Sequence, residues 1–168
     1  MAKATVRVRS ALMWICMKIL FVCSGNAYRS PLAEALLKKL RPDLQVDSAG
    51  TQVEPEISEE TRKYLAKQGA DNYLKKAPES LEARRLGDYD LIVAMEQAHE
   101  NAVLRRCPEC RGKTAVWNIE DLGSRPIEYT ETISNRINEK VTKLAKSLAL
   151  PKSRVQRTRD KKGELMGH

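Results

Sequence analysis

At 168 residues the chain is long enough for one well-buried core and is expected to form a single domain. An apolar fraction of 42% is ordinary for a globular protein and excludes disorder throughout, and no apolar run reaches the roughly 18 to 20 residues that a membrane helix needs. The net charge of +8 suggests nucleic-acid binding only until it is located: residues 1–16 carry +3 and residues 151–168 carry +4, which leaves +1 for everything between.

Two short basic tails are expected to be solvated appendages that add at most weak, salt-sensitive attraction to anions, so neither a nucleic-acid nor a membrane partner is expected. The segment ALMWICMKILFVC (11–23) follows basic residues as a secretory signal would, but Lys18 interrupts it and no small-residue cleavage site follows. A cytoplasmic location is therefore expected. Met17 opens MKILFVC like a natural chain start, which makes residues 1–16 an expected N-terminal extension outside the fold.

Residues 19–23 are apolar and bounded by Lys and Ser-Gly-Asn, the pattern of a buried strand. A helix is predicted next, with Ser30 as N-cap, Pro31 at the first helical position and Pro42 beyond the end. Its Leu32, Leu36, Leu37 and Leu40 share one face. LQVDSAG (44–50) reads as a second strand, 58–71 as a helix, 79–86 as a short helix, 91–94 as a third strand and 96–106 as a helix. KTAVWNI (113–119) is the predicted fourth strand. From Pro126 to Leu150, Tyr129, Ile133, Ile137, Val141, Leu144 and Leu148 step by threes and fours into a long terminal helix.

Strands alternating with helices argue for an α/β fold, a parallel sheet covered on both faces. The domain is expected to span 17–150, with 151–168 a basic, flexible tail. In such sheets ligands bind beyond the carboxyl ends of the strands, at a switch in strand order. Cys23 lies at one such end and Asp121 just past another.

Four cysteines in a cytoplasmic chain need not form disulfides. Cys107 and Cys110 form a CPEC pair that is only half of a zinc site and does not open a helix as a redox pair would. A structural or incidental role is expected; a reversible disulfide and a zinc shared between subunits are the alternatives.

The spacing Cys23-Ser24-Gly25-Asn26-Ala27-Tyr28-Arg29-Ser30 carries the chemistry. A Gly-Asn turn can point successive backbone N–H groups inward as an anion nest, and the helix start adds free amides and the positive dipole end. Ser24, Gly25, Asn26, Ala27, Tyr28 and Ser30 are thus candidate phosphate-binding positions, and Arg29 can grip two phosphate oxygens with its planar fork. The same field favours a thiolate at Cys23, with Ser30 a further donor, placing a nucleophile under a bound phosphoryl group. Leaving-group protonation and water activation need an acid and base, for which Asp121 is the candidate and Glu120 the competitor.

MKILFVCSGNAYRSPLAEALL, VDSAGT, DYDLIVAM and WNIEDLGS…EY follow in order the segments of the low-molecular-weight protein tyrosine phosphatases, which the chain resembles from residue 17 to about 148. The resemblance implies a four-stranded parallel sheet in the order 2-1-3-4, no metal and no cofactor, and a cysteinyl-phosphate intermediate. It implies that Cys23 is the nucleophile, Arg29 the phosphate clamp and Asp121 the general acid and base, that Asn26 and Ser30 shape the loop, and that Ser48 supports it. The implied partner is a phosphorylated protein or a small aryl phosphate.

Three departures bear on substrate. Many members carry a second cysteine just before the arginine, where this chain has Tyr28. Their acid is followed by proline and an aromatic, where this chain has Leu122, Gly123 and Ser124, and the loop after SAGT offers Val53 and no ring. Weaker stacking on phosphotyrosine would follow. Ala27 stands where tyrosine-specific members tend to carry a larger aliphatic residue and arginine-phosphate phosphatases a threonine. Protein-arginine phosphatase is therefore an alternative. Arsenate reductase is another, although the two further cysteines it requires near residues 95–103 are missing. A non-catalytic phosphate-binding module is the rival from a different class.

Overall fold

The structure, a computed structural model, describes residues 17–123 and 125–148, so the expectations for residues 1–16 and 151–168 lie outside the described residues. Strands β1 (Lys18–Cys23), β2 (Gln45–Gly50), β3 (Leu91–Ala94) and β4 (Thr114–Val116) form one all-parallel sheet in the order β2-β1-β3-β4. Helices α1 (Arg29–Leu40), α2 (Glu59–Lys67), α3 (Gln97–Arg106) and α4 (Glu128–Ser147) connect and cover it.

β1 is central, and its continuous apolar run reflects burial on both faces. Ile19 and Phe21 enter one core with Leu32, Leu36 and Ile137, while Leu20 and Val22 enter a second with Leu81, Tyr89 and Val103. Each of these four side chains is fully buried, stabilising the fold by about 1.5–3 kcal/mol apiece. The chain leaves β1 towards β2 and later returns on its other side as β3, which puts the switch in strand order at the carboxyl end of β1.

Element ends differ from the sequence reading for local reasons. α1 begins at Arg29, so Ser30 and Pro31 are its second and third residues and Ser30 is not the cap. Leu32, Leu36 and Leu37 are buried, whereas Leu40, at the last turn, is exposed. α2 stops at Lys67 because Gly69 takes a left-handed conformation, φ 64°. Residues 79–86 contain 3-10 turns at Leu81–Ala83 and Leu86–Asp88 rather than one helix.

β4 ends at Val116 because Asn118 sits at φ 55°, although Trp117 N still donates to Ala94 O and Ile119 N to Met95 O. That turn swings residues 119–121 across the top of the sheet. Cys107 and Cys110, beyond the end of α3, are joined by a disulfide with Cα atoms 5.3 Å apart, inside the second core. Among the described residues Cys23 is the free cysteine.

Candidate active site

Residues 23–30 turn from β1 into α1 as a loop whose shape is set by Asn26. Its φ of 52° lies in the left-handed region, which asparagine tolerates better than most residues. The fully buried side chain makes four hydrogen bonds, all that an amide can make. Nδ2 donates to Ser30 Oγ and Ser48 Oγ at 2.8 Å each, and Oδ1 accepts from Lys75 Nζ and Glu79 N at 2.8 Å each.

The strand end of β2 runs alongside. Thr51 N donates to Cys23 O, Gln52 N to Ser24 O and Glu54 N to Gly25 O. Gly50 makes that approach possible: a Cβ there would lie 2.5 Å from Ser24 O and 2.9 Å from Asn26 N.

Tyr28 occupies the N-cap of α1 without a side-chain cap, so its side chain leaves the first amides of the helix to other acceptors. Instead, its hydroxyl donates to Thr130 O (2.9 Å) and, having one proton, accepts from Ser134 Oγ (2.6 Å), which ties the loop to α4. Burial pushes the Tyr28 hydroxyl up to about 12.

Cys23 Sγ is buried, 2.9 Å from Ser30 Oγ and 3.3 Å from Asn26 N. Because Ser30 already accepts from Asn26 Nδ2, its own proton is free to point at the sulfur, and both neighbours then direct a donor at Sγ.

Arg29 is 2% exposed and held from behind: Nη1 donates to Glu96 Oε1 at 2.5 Å and to Ile119 O at 2.8 Å. Its Nη2 faces Ser24 Oγ at 3.5 Å and Asp121 Oδ2 at 3.7 Å. One edge of the fork is thus anchored and the other is presented at the rim.

Asp121 is more than half exposed, and its Oδ1 accepts from Leu122 N. Its neighbour Glu120 pairs instead with Arg125 (2.8 Å) and Arg136 (3.9 Å). Of the two acids, Asp121 is the one beside Arg29.

Beyond β3, His99 is 3% exposed and bonded at both ring nitrogens. Glu96 N donates to Nδ1 (3.0 Å), so the ring proton sits on Nε2 and is donated to Ser24 Oγ (2.8 Å). Burial, reinforced by the Arg29 charge, holds His99 below the ordinary histidine range and keeps this tautomer neutral. Ser24 therefore accepts from His99, and its own proton is left to point into the loop.

Cys23, Arg29 and Asp121 thus meet at one end of the sheet, with Ser24, Gly25, Asn26 and Ala27 forming the loop between the first two. The Ser30 hydroxyl turns to the sulfur, and the Tyr28 ring turns away. Glu96, His99 and Lys75 are site residues that sequence reasoning missed. A signal existed for Glu96 and His99, polar residues directly after an apolar strand end, but none for Lys75, one lysine among many in a connecting segment.

A family model described as low molecular weight phosphotyrosine protein phosphatase matches residues 18–154. The chain is 38% identical over 100 residues to the low molecular weight protein-tyrosine-phosphatase Etp of Escherichia coli (strain K12), an alignment covering 59% of this chain and 68% of that protein. Among solved structures it resembles Vibrio vulnificus Wzb in complex with benzylphosphonate, with TM-score 0.70 and 29% identity, covering 79% of this chain and 99% of that one. It also resembles the YwlE arginine phosphatase from Geobacillus stearothermophilus, with TM-score 0.66 and 25% identity, covering 90% of this chain and 99% of that one.

Proposed function

The chain belongs to the low molecular weight phosphotyrosine protein phosphatase family, and we propose that it hydrolyses phosphotyrosine in proteins through a cysteinyl-phosphate intermediate. The observation that carries this reading is the buried Cys23 Sγ, flanked by the Ser30 hydroxyl and the Asn26 amide at the floor of a loop closed by an anchored Arg29. A phosphoryl group seated in that loop lies between the amides of the turn and helix start and the free edge of Arg29.

Cys23 attacks phosphorus in line, forming the S–P bond as the bond to the leaving oxygen breaks. Asp121 gives that oxygen its proton. The resulting carboxylate then takes a proton from water, which attacks phosphorus and releases inorganic phosphate and the thiolate. Arg29 balances charge on the equatorial oxygens throughout. Glu96 and Ile119 O act on this step indirectly, by fixing the guanidinium plane.

Replacing Cys23→Ser should abolish turnover of an aryl phosphate; turnover that survives it would overturn the nucleophile assignment. Asp121→Asn should slow esters with poor leaving groups far more than those with good ones, because a good leaving group departs without a proton. Equal losses on both would make Asp121 a structural residue.

A second reading, hydrolysis of protein phosphoarginine, is favoured by the residues after the acid. Leu122 and Gly123 (φ 52°) supply no ring to stack on a phosphotyrosine, and Val53, exposed on the other rim, supplies none either. The similarity to an arginine phosphatase points the same way. Phosphotyrosine and phosphoarginine versions of one peptide, assayed side by side, separate the two readings. Faster turnover of phosphoarginine would replace the first with the second.

A further inference from the structure

A cavity of about 340 Å³ opens directly beside the phosphate loop, and nothing in the reaction above uses it. Ser24 and His99 form the end it shares with the loop. Thr51 and Gln52, on the segment after β2, form one wall, and α3 forms the other. Ala98, Ala102 and Arg105 lie at i, i+4 and i+7 of α3 and therefore on one stripe of that helix. Two alanines on the stripe leave the space open, and an arginine closes its far end.

Arg105 is exposed and has no hydrogen-bond or ion-pair partner among the described residues. Its neighbours are committed elsewhere: Arg106 donates to the carbonyls of Leu81, Glu82 and Arg84, and Glu100 accepts from Gln97. The cavity thus offers one unpaired guanidinium, the neutral polar side chains of Ser24, Thr51, Gln52 and His99, and no carboxylate of its own.

We propose that this cavity is a recognition subsite for an acidic side chain close to the phosphorylated residue of a peptide substrate, selected by Arg105. The proposal rests on the phosphatase reading and narrows its substrate class. A single guanidinium with neutral donors suits a carboxylate, whereas a second phosphate dianion calls for more positive charge. Arg105 is six positions on from His99, about 9 Å along the helix axis. An extended peptide advances about 3.3–3.6 Å per residue, so the acid belongs within about three residues of the phosphorylated one.

The test uses the full chain and a set of phosphopeptides carrying Glu or Gln at each of the three positions on either side of the phosphorylated residue. The reading taken is the ratio of kcat/KM for each Glu peptide to that of its Gln counterpart. Wild type should favour Glu about two- to fivefold at one position, the range of a partly exposed ion pair, and less at high salt. Arg105→Gln should bring that ratio to about one, Arg105→Glu should invert it, and Arg105→Lys should retain part of it.

Because only ratios within one variant are compared, a general loss of activity cannot mimic the result. A ratio near one at every position in wild type, or a preference unchanged in Arg105→Gln, would overturn the subsite. Both outcomes require that wild type hydrolyses p-nitrophenyl phosphate. If it does not, the phosphatase reading fails first and takes the subsite with it.

Discussion

Ser30 does two jobs that its place in the sequence does not announce. It reads as a helix cap, yet α1 starts one residue earlier, and the hydroxyl is sandwiched between Asn26 Nδ2 and Cys23 Sγ. Hydrogen bonds to a charged partner contribute about 1.5–3 kcal/mol. Ser30→Ala should therefore lower kcat/KM by roughly ten- to a hundredfold, since about 1.4 kcal/mol is tenfold. The same substitution should slow alkylation of Cys23 by iodoacetamide at pH 7. A lower turnover with unchanged alkylation would mean that Ser30 shapes the loop without stabilising the thiolate. Cys23 and Arg29 were legible because their roles depend on the local strand–turn–helix spacing. Lys75 was not: its Nζ reaches Asn26 Oδ1 across 49 residues of sequence, and only the folded chain brings them together.

α1 carries an internal cost that the apolar pattern hid. Glu34, on its buried face, is 2% exposed, and its Oε2 has no hydrogen-bond partner, the nearest cation being Lys38 Nζ at 3.7 Å. Burial pushes this carboxyl up from its ordinary value, with Lys38 opposing. The sign follows from linkage. Between the ordinary carboxylate value and the raised one, the folded state holds a proton that the unfolded state has lost, so stability rises as pH falls through that window. Above the window the charged, underpaired group is a full penalty. Glu34→Gln should therefore raise stability by about 1 kcal/mol at pH 7, a melting temperature roughly 2–4 °C higher, and the gain should shrink towards pH 4. A gain of equal size at both pH values would show that charge is not the cause. In β2 the opposite holds for Gly50, where the neighbouring backbone of Ser24 and Asn26 leaves no room for a Cβ. Gly50→Ala should distort the loop enough to cost at least a hundredfold in aryl-phosphate turnover, with a parallel loss of competitive inhibition by phosphate. Inhibition left intact would mean that the loop absorbs the methyl. Helices and strands were visible in the periodicity, but their ends were not, because Gly69 and Asn118 stop their elements through φ angles that a sequence only permits.

The site is assembled from all four strand ends: Cys23 at the end of β1, Ser48 and Gly50 in β2, Glu96 and His99 after β3, and Asp121 after β4. Alternation of strands and helices was enough to expect a parallel sheet, but no residue pattern states that β3 lies beside β1. That neighbour relation is what sets Glu96 behind Arg29 and His99 beside Ser24, 67 and 75 residues apart in the chain. α3 runs away from this end of the sheet towards Cys107. Cys107 lies eight residues beyond His99, about 12 Å along the axis, and the Cys107–Cys110 disulfide closes the far end inside the second core. A cross-link so short constrains the unfolded chain by about 2 kcal/mol. Breaking it should lower the melting temperature by roughly 4–8 °C in a chain of this size. Because the disulfide lies at the far end of α3 from Glu96 and His99, and Cys23, Arg29 and Asp121 are carried by β1, α1 and the segment after β4, turnover at 25 °C should not change. The comparison is between the wild-type chain and a Cys107→Ala, Cys110→Ala double variant, both purified without oxidant so that Cys23 stays a thiol, and each measured before and after treatment with a strong reductant. Before reduction the wild type should melt higher than the variant; after reduction the two should converge, with kcat/KM equal throughout. A loss of kcat/KM on opening the disulfide would instead mean that α3 transmits the state of its carboxyl end to Glu96 and His99, and so to the plane of Arg29.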